Sequence, residues 1–145
     1  MKKLPAEIIY LDPFVGKWKT TGQIKEPGKP LIKIEGTDTY EWLPGGFFLL
    51  HKVDVQIGSG KNESLEIIGF DAEMNSFSMH SFDNYGNKGV MQAKLNNDVW
   101  TFLSESMRFT GSFSRDEKTL LGIWEQSSDG ITWNHWMDIT LTKIL

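Results

Sequence analysis

The sequence predicts an all-β fold: a single domain over residues 1–145 forming an antiparallel up-and-down β-barrel of about ten strands, with a short N-terminal helix. Three observations predict it. From Lys17 onward the chain falls into ten short runs of β-type composition, each ended by a cluster of Gly, Asn, Asp, Ser or Pro. Within most runs, apolar and polar residues alternate with the period of two that separates the faces of a sheet. The links between runs are too short for crossover helices, so consecutive strands should pair antiparallel. Closing such a meander removes the edges that a flat sheet would leave exposed.

Residues 5–11, PAEIIYL, carry the helical periodicity, for barely two turns, and read as a plug or lid. The strands are expected at 17–25, 31–43, 46–57, 64–71, 76–83, 88–95, 98–104, 107–114, 119–127 and 131–143. In the first, Trp18, Thr20, Gly22 and Ile24 oppose Lys17, Lys19, Gln23 and Lys25, so the even set points inward. In the second, Ile32, Ile34, Tyr40 and Trp42 share the inner face with Asp38, and the interior is therefore not purely hydrocarbon. In the third, Phe47, Leu49, His51, Val53 and Val55 alternate with Phe48, Leu50, Lys52, Asp54 and Gln56, which turns His51 inward. Met91, Ala93 and Leu95, then Met107, Phe109 and Phe113, continue the inner set, and the last strand adds Trp133, His135, Met137, Ile139 and Leu141. His80 falls outside, and alternation leaves Trp124 and Glu125 unassigned.

Composition excludes several classes. With no cysteine there are no disulfides, thiolate metal sites or cysteine nucleophiles. The longest run of aliphatic or aromatic residues, Phe47-Phe48-Leu49-Leu50, is far below the roughly 20 residues of a membrane span. Pro5 and Glu7 interrupt the stretch where an export signal would need a continuous apolar core, so a soluble, cytoplasmic protein is expected. A net charge of −4 argues against nucleic-acid binding. Of the lysines concentrated in residues 1–33, Lys17, Lys19 and Lys25 share the outer, solvated face of the first strand.

Few motifs carry chemistry. GSGK at 58–61 lacks both the leading glycine and the closing Ser or Thr of a phosphate loop, and a strand follows it instead of a helix. No Gly-x-Ser-x-Gly elbow is present. The third and tenth strands are separated by the second and first, so His51 and His135 should stand too far apart to share a metal ion. An inward Asp38 or His51 could serve as a general base, which keeps an enzyme acting on a buried small molecule as an alternative.

Phe14-Val15-Gly16-Lys17-Trp18 resembles the Gly-x-Trp element that opens the first strand of lipocalin-like barrels, where the tryptophan closes one end. With GTDTYEWLPGGFFLLHKVDV, IIGFDAE, FDNYGN, RFTGSFS and WEQSSDGITWNHWMDITLTK, the chain from about Leu11 to Lys143 resembles an uncharacterised bacterial family of calycin-type, lipocalin-like proteins, a domain of unknown function. The resemblance implies the barrel and brings no assigned catalytic residues. Fatty-acid-binding proteins and nitrobindins are similar ten-stranded barrels. Nitrobindins hold haem through a histidine on the closing strand, where His135 lies here, although their glycine-rich entry pattern is missing.

The reading that follows is non-catalytic binding of a small apolar or amphipathic molecule in the barrel interior, with no cofactor required and haem as the alternative. The expected lining is Trp18, Asp38, Tyr40, Trp42, Leu49, His51, Met91, Met107, Phe109, Trp133, His135 and Met137, with His51 hydrogen-bonded to a neighbour such as Tyr40. Outward Phe48, Leu50 and Trp136 would form an apolar patch that a second copy of the chain could cover.

Overall fold

The computed structural model describes residues 2–145. A 3₁₀ helix, Ala6–Phe14, precedes ten strands: β1 (Gly16–Ile24), β2 (Ile32–Trp42), β3 (Phe48–Ile57), β4 (Gly60–Asp71), β5 (Ser76–Asp83), β6 (Lys88–Asn96), β7 (Val99–Leu103), β8 (Met107–Phe113), β9 (Thr119–Gln126) and β10 (Asn134–Lys143). Each strand pairs antiparallel with its neighbours in sequence, and β1 pairs with β10 to close the barrel. None of the described helices is long and apolar enough to cross a membrane.

The helix closes one end. Ile8, Leu11 and Phe14 are buried in the main core cluster, and the Phe14 ring lies between Tyr40 and Phe113, with centroids 5.1 and 4.9 Å away. Trp18 is wholly buried beside it and donates its indole N–H to the Phe14 carbonyl at 2.8 Å, which ties the start of β1 to the end of the helix. The entry into β1 requires Gly16. Its φ of +138° is one that side chains rarely adopt, and a Cβ there would press on the Leu145 carbonyl. A second, smaller cluster of Ile24, Ile34, Val55 and Met137 fills the β1–β2–β3–β10 side of the opposite end.

Two strand starts differ from the expected ones by more than two residues. β4 starts at Gly60, four residues earlier than 64, because Gly58-Ser59 makes a two-residue turn and pairing resumes at once with Ile57 opposite Gly60. β10 starts at Asn134 instead of 131 and carries a bulge: His135 faces Glu125, but Met137 already faces Trp124. The extra residue, Trp136, reverses the alternation on its N-terminal side. Met137, Ile139 and Leu141 therefore keep the expected inner face, while the expectations for three residues are overturned. His135 is exposed and pairs with Asp138 at 2.9 Å, and Trp133 stands under the Arg108 guanidinium at 4.6 Å, outside the cavity. Trp136, expected outside, packs on the second core cluster. The outer apolar patch is thus left with Phe48, which is 49% exposed, and half-buried Leu50.

Replacing Phe14 by Ala removes a ring buried among aromatic partners and should lower the unfolding free energy by about 3–5 kcal/mol in urea titrations. Ile9→Ala, on the exposed side of the same helix, should change it by no more than about 0.5 kcal/mol.

Candidate functional site

Between the helix-capped end and the opposite rim the barrel retains a cavity of about 500 Å³. Inward positions of β5–β10 supply its apolar wall, including Met79, Met91, Phe102, Phe109, Leu120 and Trp124, while Asn62, Ser64, Ser81, Asp83 and Asn87 lie toward the rim. The space exists partly because two inward positions lack side chains. The Phe109 ring lies over Gly111 and Gly122, and a Cβ at either would fall within its van der Waals radius. A groove of about 680 Å³ lies elsewhere, along the outer wall of β3–β5 beside Lys2, Lys3 and Phe48. It lacks the buried, convergent polar groups that mark a small-molecule site.

Those groups are in the interior cavity, on four consecutive strands. The β2–β3 register sets His51 opposite Tyr40, and the β3–β4 register sets it opposite Glu66. The His51 and Tyr40 rings stack with centroids 3.9 Å apart and planes within 7°. Nε2 of His51 lies 2.6 Å from Asp38 Oδ2, and Nδ1 lies 2.9 Å from Glu66 Oε1. The Thr20 hydroxyl on β1 donates to the other Asp38 oxygen. Thr20, Asp38, His51 and Glu66 thus form one polar chain across β1–β4.

This arrangement decides the charge of the ring. Burial alone would push His51 below its ordinary 6.5, but the hydrogen bonds to Asp38 and Glu66, reinforced by both negative charges, raise it to about 9. At neutral pH His51 is an imidazolium clamped between two carboxylates, with both N–H groups donated. It has no lone pair to offer a metal or to use as a general base. Its two nitrogens point to opposite sides, and among the described residues no group of three or more His, Asp or Glu side chains is arranged to hold a metal ion. Tyr40 is held well above its usual value, first by burial and then by the Asp38 and Glu66 charges, so it remains a neutral phenol.

Of the residues expected to line the pocket, Asp38, Tyr40, His51, Met91, Met107 and Phe109 meet at this cavity. Trp18 and Leu49 are inward but belong to the solid core, and Trp42 sits at the capped end with its indole N–H on Asp12 at 3.2 Å. Met137 belongs to the second cluster, and Trp133 and His135 lie outside. A haem ligand at His135 would require that side chain inside the barrel, where the bulge does not put it. The neighbours that His51 hydrogen-bonds are Asp38 and Glu66, while Tyr40, the example named from the sequence, stacks on its ring. Sequence reasoning missed Glu66, although the two-residue turn at Gly58-Ser59 was the signal that sets it opposite His51.

The raised value makes stability depend on pH. Below 6.5, His51 is protonated in folded and unfolded chains alike, and its two ion pairs contribute in full. As pH rises from 6.5 to about 9, the unfolded chain loses the proton while the folded chain keeps it, so about 3 kcal/mol should be lost across that window. Urea unfolding from pH 6 to 9.5 checks this: His51→Gln should flatten the decline, and a flat wild-type profile would contradict the clamp.

The fold is shared with solved structures. The crystal structure of Rv2717c from M. tuberculosis superposes with a TM-score of 0.67 at 12% identity, over 99% of this chain and 100% of that one. A de novo designed fluorescence-activating β-barrel gives 0.50 at 10% identity, over 92% of this chain and 95% of that one. At such identities the likeness is one of fold alone. No curated protein matches the chain. Residues 6–122 match the family described as protein of unknown function (DUF1579), and the chain belongs to that family.

Proposed function

We propose that the barrel is a non-catalytic binding module for a small apolar or amphipathic molecule held in its interior. The observation that carries this reading is the cavity itself: about 500 Å³, with an apolar wall of methionines and aromatic rings facing a buried polar cluster. Cavities of roughly 300–1,000 Å³ with a few convergent polar groups are the usual form of small-molecule sites. Methionine and aromatic side chains suit such a wall, because the thioether adapts to irregular shapes and the rings offer large flat contacts. The glycines under Phe109 support the same reading, since ordinary β-branched residues there would displace the ring into the space. A catalytic role for His51 as a base has less support, because both of its nitrogens are engaged by carboxylates.

The neutral fluorophore N-phenyl-1-naphthylamine should bind with one-to-one stoichiometry and brighten on entering the cavity. Gly122→Val, by driving Phe109 into the space, should reduce uptake about tenfold or more while far-UV circular dichroism stays unchanged. Equal uptake by the folded variant would place the dye elsewhere and defeat the reading.

A further inference from the structure

We infer that the molecule taken by this cavity is an organic cation, a small amphipathic amine whose ammonium group lies against Glu66 and Asp38 beside Tyr40 and whose body packs on the methionine and aromatic wall. The inference rests on the ligand-binding reading above and adds the chemical class of the ligand.

The first observation is the balance of charge. Of the side chains lining the cavity, Asp38, Glu66 and Asp83 are acidic, and Lys88, exposed on β6 toward the rim, is the one lysine or arginine. At the depth of His51, one imidazolium stands between two carboxylates, which leaves a net negative charge in a volume largely screened from water. Negative charge in such surroundings is costly unless matched, and an entering ammonium matches it. An entering carboxylate would meet the same field with the wrong sign and find no guanidinium or ammonium beside it.

The second observation is independent of that count. Tyr40 is only 4% exposed and lines the cavity, yet its hydroxyl has no hydrogen-bond partner among the described residues. Among the described residues no buried side-chain polar atom is left without a partner, so this oxygen is open to the cavity, where it can accept from a ligand N–H. Glu66 presents a second acceptor in the same way: Oε1 is taken by His51, while Oε2 makes no hydrogen bond within the described residues and is likewise open to the cavity. Two acceptors beside one unmatched negative charge form a site for an –NH₃⁺ group, which donates in three directions. Across the cavity, Phe102, Phe109 and Trp124 present stacked and tilted rings, a surface for an aromatic or branched apolar body.

Calorimetric titration of the full chain at pH 7 with three indoles of similar shape tests this: tryptamine as the cation, tryptophol as a neutral hydrogen-bond donor and indole-3-propionate as the anion. Tryptamine should bind about tenfold or more tighter than tryptophol, with indole-3-propionate weakest. Glu66→Gln should bring tryptamine to within about threefold of tryptophol, whose own affinity reports that the variant is folded, and Tyr40→Phe should weaken tryptamine severalfold. Equal binding of tryptamine and tryptophol, tighter binding of the anion, or indifference to Glu66→Gln would overturn the cation and leave the cavity reading standing. Failure of all three indoles while N-phenyl-1-naphthylamine still binds would do the same. If neither the indoles nor the dye binds, the ligand-binding reading itself falls.

Discussion

Pairing of β1 with β10 is the constraint on which the rest of the structure depends. Seven residue pairs, from Trp18 opposite Lys143 to Ile24 opposite Met137, join the first strand to the last. Without them the meander would be an open sheet with two free edges and no interior. With them, every second side chain of ten strands is turned into one enclosed volume, and residues far apart in sequence become neighbours around it. The barrel end where β1 begins is then sealed by the helix, through Phe14 among Tyr40, Trp100 and Phe113 and through the Trp18 indole on the Phe14 carbonyl. Closure also makes the polar chain of Thr20, Asp38, His51 and Glu66 a buried one.

That chain is expensive to build and therefore informative. An isolated carboxylate in an apolar interior would take up a proton or draw in water, and two side by side would repel. His51 resolves this by donating one N–H to each, at 2.6 and 2.9 Å, while Thr20 supplies a further donor to Asp38. Replacing such a cluster by packed hydrocarbon is often neutral or stabilising, so stability alone gives little reason for a barrel to carry it. Its position on the wall of a cavity, with the Tyr40 hydroxyl and one Glu66 oxygen open to that space, is what supports the proposal that it serves as a recognition surface. The empty volume also costs contacts that a filled core would have made, and Gly111 and Gly122 show that this emptiness is written into the strands.

Much of this was legible in the sequence because a barrel obeys a period of two. Alternation identified His51, Asp38 and Tyr40 as inward on β2 and β3, where charged and apolar residues separate cleanly. It was silent on β4, where Leu65 and Ile67 face out while Ile68 and Phe70 face in, so both sides look apolar and Glu66 carries no visible sign of burial. Register and not pattern places Glu66, through the short turn at Gly58-Ser59. Alternation misled at the start of β10, because a bulge adds one residue without altering composition: Trp133 and His135 continued the inner pattern in sequence but lie outside, and Trp136 turns in. The distinction between a filled interior and a cavity was not legible at all, since it depends on how the Phe109 ring lies over two glycines on neighbouring strands.

The central claim is that the barrel interior, and not its outer groove, receives a small molecule against the clamped histidine. A high-resolution crystal structure of the protein with N-phenyl-1-naphthylamine tests it most directly. The account predicts density for one dye molecule between the Phe109 and Trp124 rings and the Tyr40–His51 stack, with His51 still bonded to Asp38 and Glu66. Dye seated in the groove beside Phe48, or an interior filled by side chains with no room for it, would contradict the account.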